Sequence, residues 1–191
     1  MVIGLAGKMG CGKTTTALYI QDILVRGHMH GDGVPVIRSF ADGVKEKAAA
    51  MYGFPLEWAY TEKGKAEKLT GCEHATVRQA LQYVGTDLCR AEDPNVWVKA
   101  LRAATAQDLR RGNILILDDL RFPEECDFVL EHGGLLVHMK PYQGWTPGPN
   151  AGHISENALE DYPHFTVTFA PRMGGLKETA RRICSLLRAD D

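Results

Sequence analysis

The chain lacks most of the marks that would place it in a specialised class. No apolar run approaches transmembrane length, so no bilayer span and no membrane partner are expected. Lysine and arginine (22) do not outnumber aspartate and glutamate (24), and a formal net charge of −2 gives no global basic surface for nucleic acid. Local basic clusters remain, Lys63, Lys65 and Lys68 among them. The five cysteines (Cys11, Cys72, Cys89, Cys126 and Cys184) include no C-x-x-C pair. Their odd number argues for free thiols in a reducing compartment and against a disulfide framework. His28, His30, His74, His132, His138 and His164 show no zinc-type spacing with cysteine, so no zinc site is expected. Internal repeats and low-complexity segments are missing too. The first apolar stretch is cut short by glycines, so no signal peptide is expected and the reading is cytosolic.

The residues that are present are ordinary in bulk. At 191 residues, with 45% hydrophobic and 24% charged residues, the chain suits one α/β domain with a real core. Near its start, Gly7-Lys8-Met9-Gly10-Cys11-Gly12-Lys13-Thr14 spells G-x-x-x-x-G-K-T. The apolar run Val2-Ile3-Gly4-Leu5-Ala6 precedes it as a buried strand, and Thr14 to Val25 comes after it as a helix without Gly or Pro. That context is what a phosphate-binding loop requires, because backbone N–H groups and the helix N-terminus then point at the phosphates. Gly7, Lys8, Gly10, Cys11, Gly12, Lys13, Thr14 and Thr15 are the expected ATP-binding positions. Lys13 would reach the β- and γ-phosphates, and the Thr14 hydroxyl would ligate Mg²⁺.

Short apolar runs alternate with helical segments along the rest, the pattern of a parallel sheet wrapped by helices. Strands are predicted at 34–40, 114–117, 135–139 and 165–169, giving five in all. A helix is predicted from about 43 to 51, and a closing helix carries Leu176, Ala180, Ile183 and Leu187 on one stripe. About seventy residues separate the second and third strands, with helices near 75–91 and 94–111. The first of these has an apolar stripe of Val77, Leu81, Val84 and Leu88. Its other side carries Arg78, Gln79, Gln82, Thr86 and Arg90, which would either line an acceptor pocket or form a solvated face. Pro141 to Gly152 is rich in Gly and Pro and reads either as a lid that excludes water or as a passive connection.

Asp118-Asp119 ends the third apolar run, where a Mg²⁺-holding carboxylate belongs at the crevice of an α/β sheet. Adjacent acids on a strand point different ways, and Asp118 is favoured with Asp119 second. Arg121 and Lys140 would supply cations to a transferring phosphoryl group, or would serve as surface ion-pair partners. Asp42 lies just past the second strand and would act as a base toward an alcohol acceptor, orient a substrate, or cap the next helix. Ser155 would cap the helix after the irregular loop, with Glu156 in its first turn.

Taken together, these segments resemble the bacteriophage deoxynucleoside monophosphate kinase family over nearly the whole length. The resemblance rests on Gly7 to Thr14, on Ser39-Phe40-Ala41-Asp42 with Lys45, and on Arg78-Gln79, Leu81-Gln82 and Gly85-Thr86. It continues through Arg90, Trp97-Val98, Asp118 to Glu125 and His153-Ile154-Ser155-Glu156. It implies a single three-layer P-loop kinase domain over 1–191, with an acceptor-binding helical insertion at about 42–97 and a lid at about 140–153. It implies transfer of the γ-phosphoryl of ATP, with Mg²⁺, to a deoxynucleoside monophosphate. Asp42, Arg78, Gln79, Gln82, Arg90, Trp97 and Glu156 become the expected acceptor contacts. Partners would be nucleotides, in the cytoplasm of an infected bacterial host, with homodimer formation left open. Related kinases that phosphorylate 5-hydroxymethyluracil in phage DNA, and a non-catalytic ATP-binding switch, are the two alternatives.

Overall fold

A computed structural model describes residues 1–27, 33–147 and 151–187. His28 and His30, and residues 148–150 of the expected lid, lie outside the described residues. The chain divides into two compact units, Met1–Ser39 with Thr105–Asp191, and Phe40–Ala104.

The first unit is built on five parallel strands, β1 (Val2–Ala6), β2 (Pro35–Arg38), β3 (Ile114–Leu120), β4 (Leu135–Met139) and β5 (Val167–Phe169). Their spatial order is β2-β3-β1-β4-β5, which puts the first strand at the centre. All five residues of β1 are buried, as expected where helices cover both faces of a parallel sheet. Helices α1 (Lys13–Arg26) and α9 (Leu176–Leu186) cover one face. Ala17, Ile20 and Leu24 of α1 and Ala180, Ile183 and Cys184 of α9 pack there with Ile3, Leu5, Ile116, Val137, Met139 and Phe169. Helix α7 (Pro123–Glu131) packs against β1 and β4, completing three layers. A Cβ on Gly4 would lie 2.6 Å from Val129 Cγ2 and 2.9 Å from Leu120 Cδ2, so α7 approaches the strand as closely as glycine permits.

One strand expectation changes in a way that bears on the site. Strand β3 runs three residues beyond the predicted end at Leu117, so Asp118 and Asp119 lie within it. Its pairing with β1 slips there: Gly4 faces Leu117 but Ala6 faces Leu120, three residues on against two. Such a bulge re-aims side chains locally, and it falls on the acidic pair.

The second unit is helical. It holds α2 (Ala41–Tyr52), a 3₁₀ turn (Leu56–Tyr60), α3 (Glu62–Lys65), α4 (Val77–Gln82), α5 (Cys89–Glu92) and the start of α6 (Val96–Arg110). Between α4 and α5, Tyr83–Leu88 is π-helical, so the predicted helix near 75–91 is a continuous run with a wider turn inside. The wider turn rotates the residues beyond it: Val77, Ala80 and Val84 are buried, but then Cys89 takes the buried place and Leu88 is half-buried. Trp97 is buried, and its indole N–H donates to Gly85 O at 2.9 Å within this π stretch. Short π segments are frequent at functional sites.

Among the described residues, no helix is long and apolar enough to cross a membrane.

Candidate active site

The loop between β1 and α1 is shaped by glycines at positive φ: Gly7 (145°), Gly10 (76°) and Gly12 (94°). A Cβ on Gly7 would sit 2.3 Å from Met139 O, so the loop's first residue is pressed against the end of β4. Gly12 is the N-cap of α1 and brings no capping side chain, and the first turn holds no acid. The first-turn N–H groups, which no helix satisfies internally, therefore face outward uncapped by side chains. Thr14 and Thr15 are exposed beside them. This cradle fits a polyphosphate, because backbone donors and a helix N-terminus are what bind one.

Lys13 closes the cradle from inside. It is 7% exposed, and its ammonium donates to Gly7 O at 2.6 Å and Lys8 O at 2.9 Å, with Cys11 Sγ at 4.0 Å. Burial pushes its pKa below the ordinary lysine value; Cys11 opposes this, Arg121 adds to it, and Glu156 and Asp119 oppose it. Lys13, Arg121, Asp119 and Glu156 thus share one electrostatic neighbourhood. Asp119, the second choice of the acidic pair, has a charge that acts on Lys13, and Ser39 Oγ donates to its Oδ2 at 2.5 Å. Asp118 is buried at 8% exposure. The bulge in β3, invisible in the residue pattern, falls between Leu117 and Leu120 and so on this acidic pair.

Glu156, given by the resemblance as an acceptor contact, belongs to this group. Its Oε2 accepts from the Met9 N–H at 2.7 Å, and its Oε1 pairs with the Arg121 guanidinium. It rides on α8 (Ile154–Asn157), whose N-cap is His153. Ser155 is therefore not the cap: it lies inside the helix and donates its N–H to His153 Nδ1. Lys8 also turns away from the cradle, donating to Glu160 Oε1 at 2.8 Å and Asn157 Oδ1 at 3.4 Å. Lys140 is exposed just beyond β4, its backbone N–H donating to Phe169 O.

Trp145 was missed by sequence reasoning. Its indole N–H donates to Met9 O at 2.9 Å, and Nε1 would lie 3.3 Å from a Cβ on Gly10. A lone tryptophan in a Gly- and Pro-rich loop was the available signal, since such a ring needs something to cover.

In the second unit, Asp42 is not a cap, because α2 begins one residue earlier with Phe40 as its N-cap. Asp42 Oδ1 instead accepts from Lys45 Nζ at 3.0 Å and Tyr60 OH at 3.2 Å, with the Lys45 ammonium 4.1 Å from the Tyr60 ring centroid. Arg78 donates to Glu62 Oε2 at 2.6 Å. Gln79 works as a capping residue: its Oε1 accepts from the Ala75 and Thr76 N–H groups. Gln82 is half-buried, and Arg90 donates to Pro94 O at 3.2 Å. Trp97 has its N–H bound to Gly85 O and its ring buried. Tyr60 and Glu62 carried no motif and were not anticipated.

No family model matches the chain. A protein of Acanthamoeba polyphaga mimivirus named "Putative deoxynucleotide monophosphate kinase" is 33% identical over 152 residues, 72% of each chain. Shikimate kinase from Acinetobacter baumannii, solved with shikimate, aligns over 100% of this chain and 94% of its own, at 14% identity and a TM-score of 0.47. The second likeness is too distant to carry substrate or mechanism.

Proposed function

The chain belongs to the deoxynucleotide monophosphate kinase family and is a phosphotransferase, and on that premise we propose that it transfers the γ-phosphoryl group of ATP to a deoxynucleoside monophosphate. The observation that carries the reading is the uncapped N-terminus of α1 with Lys13, Arg121 and Asp119 gathered at it. Phosphoryl transfer asks a protein for positioning and charge neutralisation more than for covalent chemistry. Here the first-turn amides would hold the phosphate chain. Lys13 would exchange its two backbone carbonyls for phosphate oxygens, which makes stronger, charge-assisted bonds. Arg121 would offer a guanidinium to the charge that builds up on the transferred group.

Mg²⁺ suits the oxygen donors nearby. Thr14 offers an exposed hydroxyl and Asp119 a carboxylate, the few hard ligands this ion takes alongside water. Bound with the nucleotide, the ion would neutralise phosphate charge. An acceptor phosphate is already anionic at neutral pH, so no general base is required. Asp42, bonded to Lys45 and Tyr60, is assigned to orienting that neighbourhood. Arg78 is the leading phosphate contact of the second unit, since its present partner Glu62 is exposed and replaceable.

The test is ADP release from Mg²⁺-ATP with the four deoxynucleoside monophosphates, their ribose counterparts, and DNA containing 5-hydroxymethyluracil. Turnover with one or more deoxynucleoside monophosphates and none with DNA is expected. Phosphate appearing on DNA, or silence with every acceptor, overturns the assignment.

A further inference from the structure

Arg121 is held at two points. Its backbone N–H donates to Glu125 Oε2 at 2.7 Å, fixing the main chain to the first turn of α7. Its guanidinium pairs with Glu156, whose side chain is only 6% exposed. Glu156 is itself seated on the phosphate loop through the Met9 N–H. Its short helix is tied to the same loop through Lys8, which grips Asn157 and Glu160. Both carboxylate oxygens of Glu156 are thus engaged, one by the loop backbone and one by Arg121. Resting on the phosphotransferase reading, we propose that Glu156 is a positioning residue: it fixes the Arg121 guanidinium beside the phosphate loop and does not bind the acceptor.

The physical case has two parts. A long cationic side chain has many rotamers, and a transition-state contact needs one of them populated before reaction. A nearly buried carboxylate bonded to a backbone amide supplies a fixed partner, and a planar guanidinium reads such a partner directionally. The second part is charge. Arg121 and Lys13 repel at the mouth of the loop, and Glu156 and Asp119 offset that repulsion while no phosphate is present. Without Glu156, the Arg121 guanidinium would keep no fixed partner among the described residues and would favour poses in solvent. Glutamine at 156 could still accept from Met9 but would lose the charge that holds the guanidinium. That separates seating the loop from holding Arg121.

The test is a double-mutant cycle with Glu156→Gln, Arg121→Met and the pair, reading kcat, both KM values and thermal stability. Glu156→Gln is expected to lower kcat about ten- to a hundredfold while both KM values stay within about twofold. In the Arg121→Met background the same change should cost almost nothing, and Glu156→Asp should restore part of kcat. Three results overturn the proposal: a raised acceptor KM with kcat kept, an equal loss with and without Arg121, or a kcat loss that merely tracks a lowered melting temperature and that Asp does not rescue. Should the wild-type protein transfer phosphate to no acceptor, the functional reading fails separately. The cycle is then read in the ATP dissociation constant, where non-additivity upholds the Glu156–Arg121 coupling and additivity rejects it.

Discussion

The two units hold their charged groups in opposite ways. Around Lys13 the partners are sheltered: Lys13 is 7% exposed and the Glu156 side chain 6%. Around Arg78 they stand in water, with the Glu62 side chain 77% exposed. A sheltered contact in low dielectric resists exchange, whereas an exposed ion pair contributes little and gives way to a better anion. On the proposed reading, the difference separates a nucleotide cradle built before ligand arrives from a cationic surface that would trade a carboxylate for a phosphate. Each arrangement would suit its proposed role. A cradle gains by being preorganised, and a selective surface gains by being replaceable.

The comparison is broken most directly by pH. Burial lowers the Lys13 pKa from 10.5, with Arg121 assisting. Below that lowered pKa the charged, buried amine costs the fold stability. Between it and 10.5 the unfolded chain carries more protons at this site, so the Lys13 contribution to stability rises with pH. Phosphate contact needs the ammonium, so nucleotide binding must restore the proton. ATP affinity is expected to decline before pH 10.5 is reached, approaching about tenfold per unit above the lowered pKa. Titrating the ATP dissociation constant of wild type and Lys13→Met from pH 7 to 10.5 checks this, and the variant should bind weakly without that slope.

Next in size is Arg78→Ala. If the exposed pair is a placeholder, this change should raise the acceptor KM by about tenfold and leave the ATP KM within about twofold. Steady-state kinetics with each substrate varied in turn would separate the two. The smallest effect belongs to Glu62→Gln. Removing an exposed partner should shift stability by less than about 1 kcal/mol and activity by less than about twofold. Calorimetry and the same assay measure both, and a loss rivalling that of Glu156→Gln would erase the distinction between the units.

Much of the first unit is legible in the residue order because its signals are local. The strand Val2–Ala6, the glycine loop and the helix after it are contiguous, and β4 falls at Leu135–Met139 as predicted. The hidden features depend on contacts between distant residues. Glu156 and Trp145 meet Met9 across 147 and 136 positions, and no spacing rule links such pairs. Asp119 acts electrostatically on Lys13 where β3 slips against β1, a feature of strand pairing with no signature in either strand alone. In the second unit, the π stretch rotates a stripe that ideal helical spacing draws straight through Leu88. Gln79 invites reading as an acceptor contact, but Thr76 three residues before it makes it half of a capping box, a pattern the sequence does contain.

On the proposed reading, phosphate leaves ATP at the Lys13 loop and arrives on a deoxynucleoside monophosphate. Incubating ATP labelled at the γ position with each monophosphate, and locating the label, tests it most directly. Label at the β position of a deoxynucleoside diphosphate, lost in Lys13→Met, is the predicted result. Label found in inorganic phosphate alone, or on DNA, would contradict it.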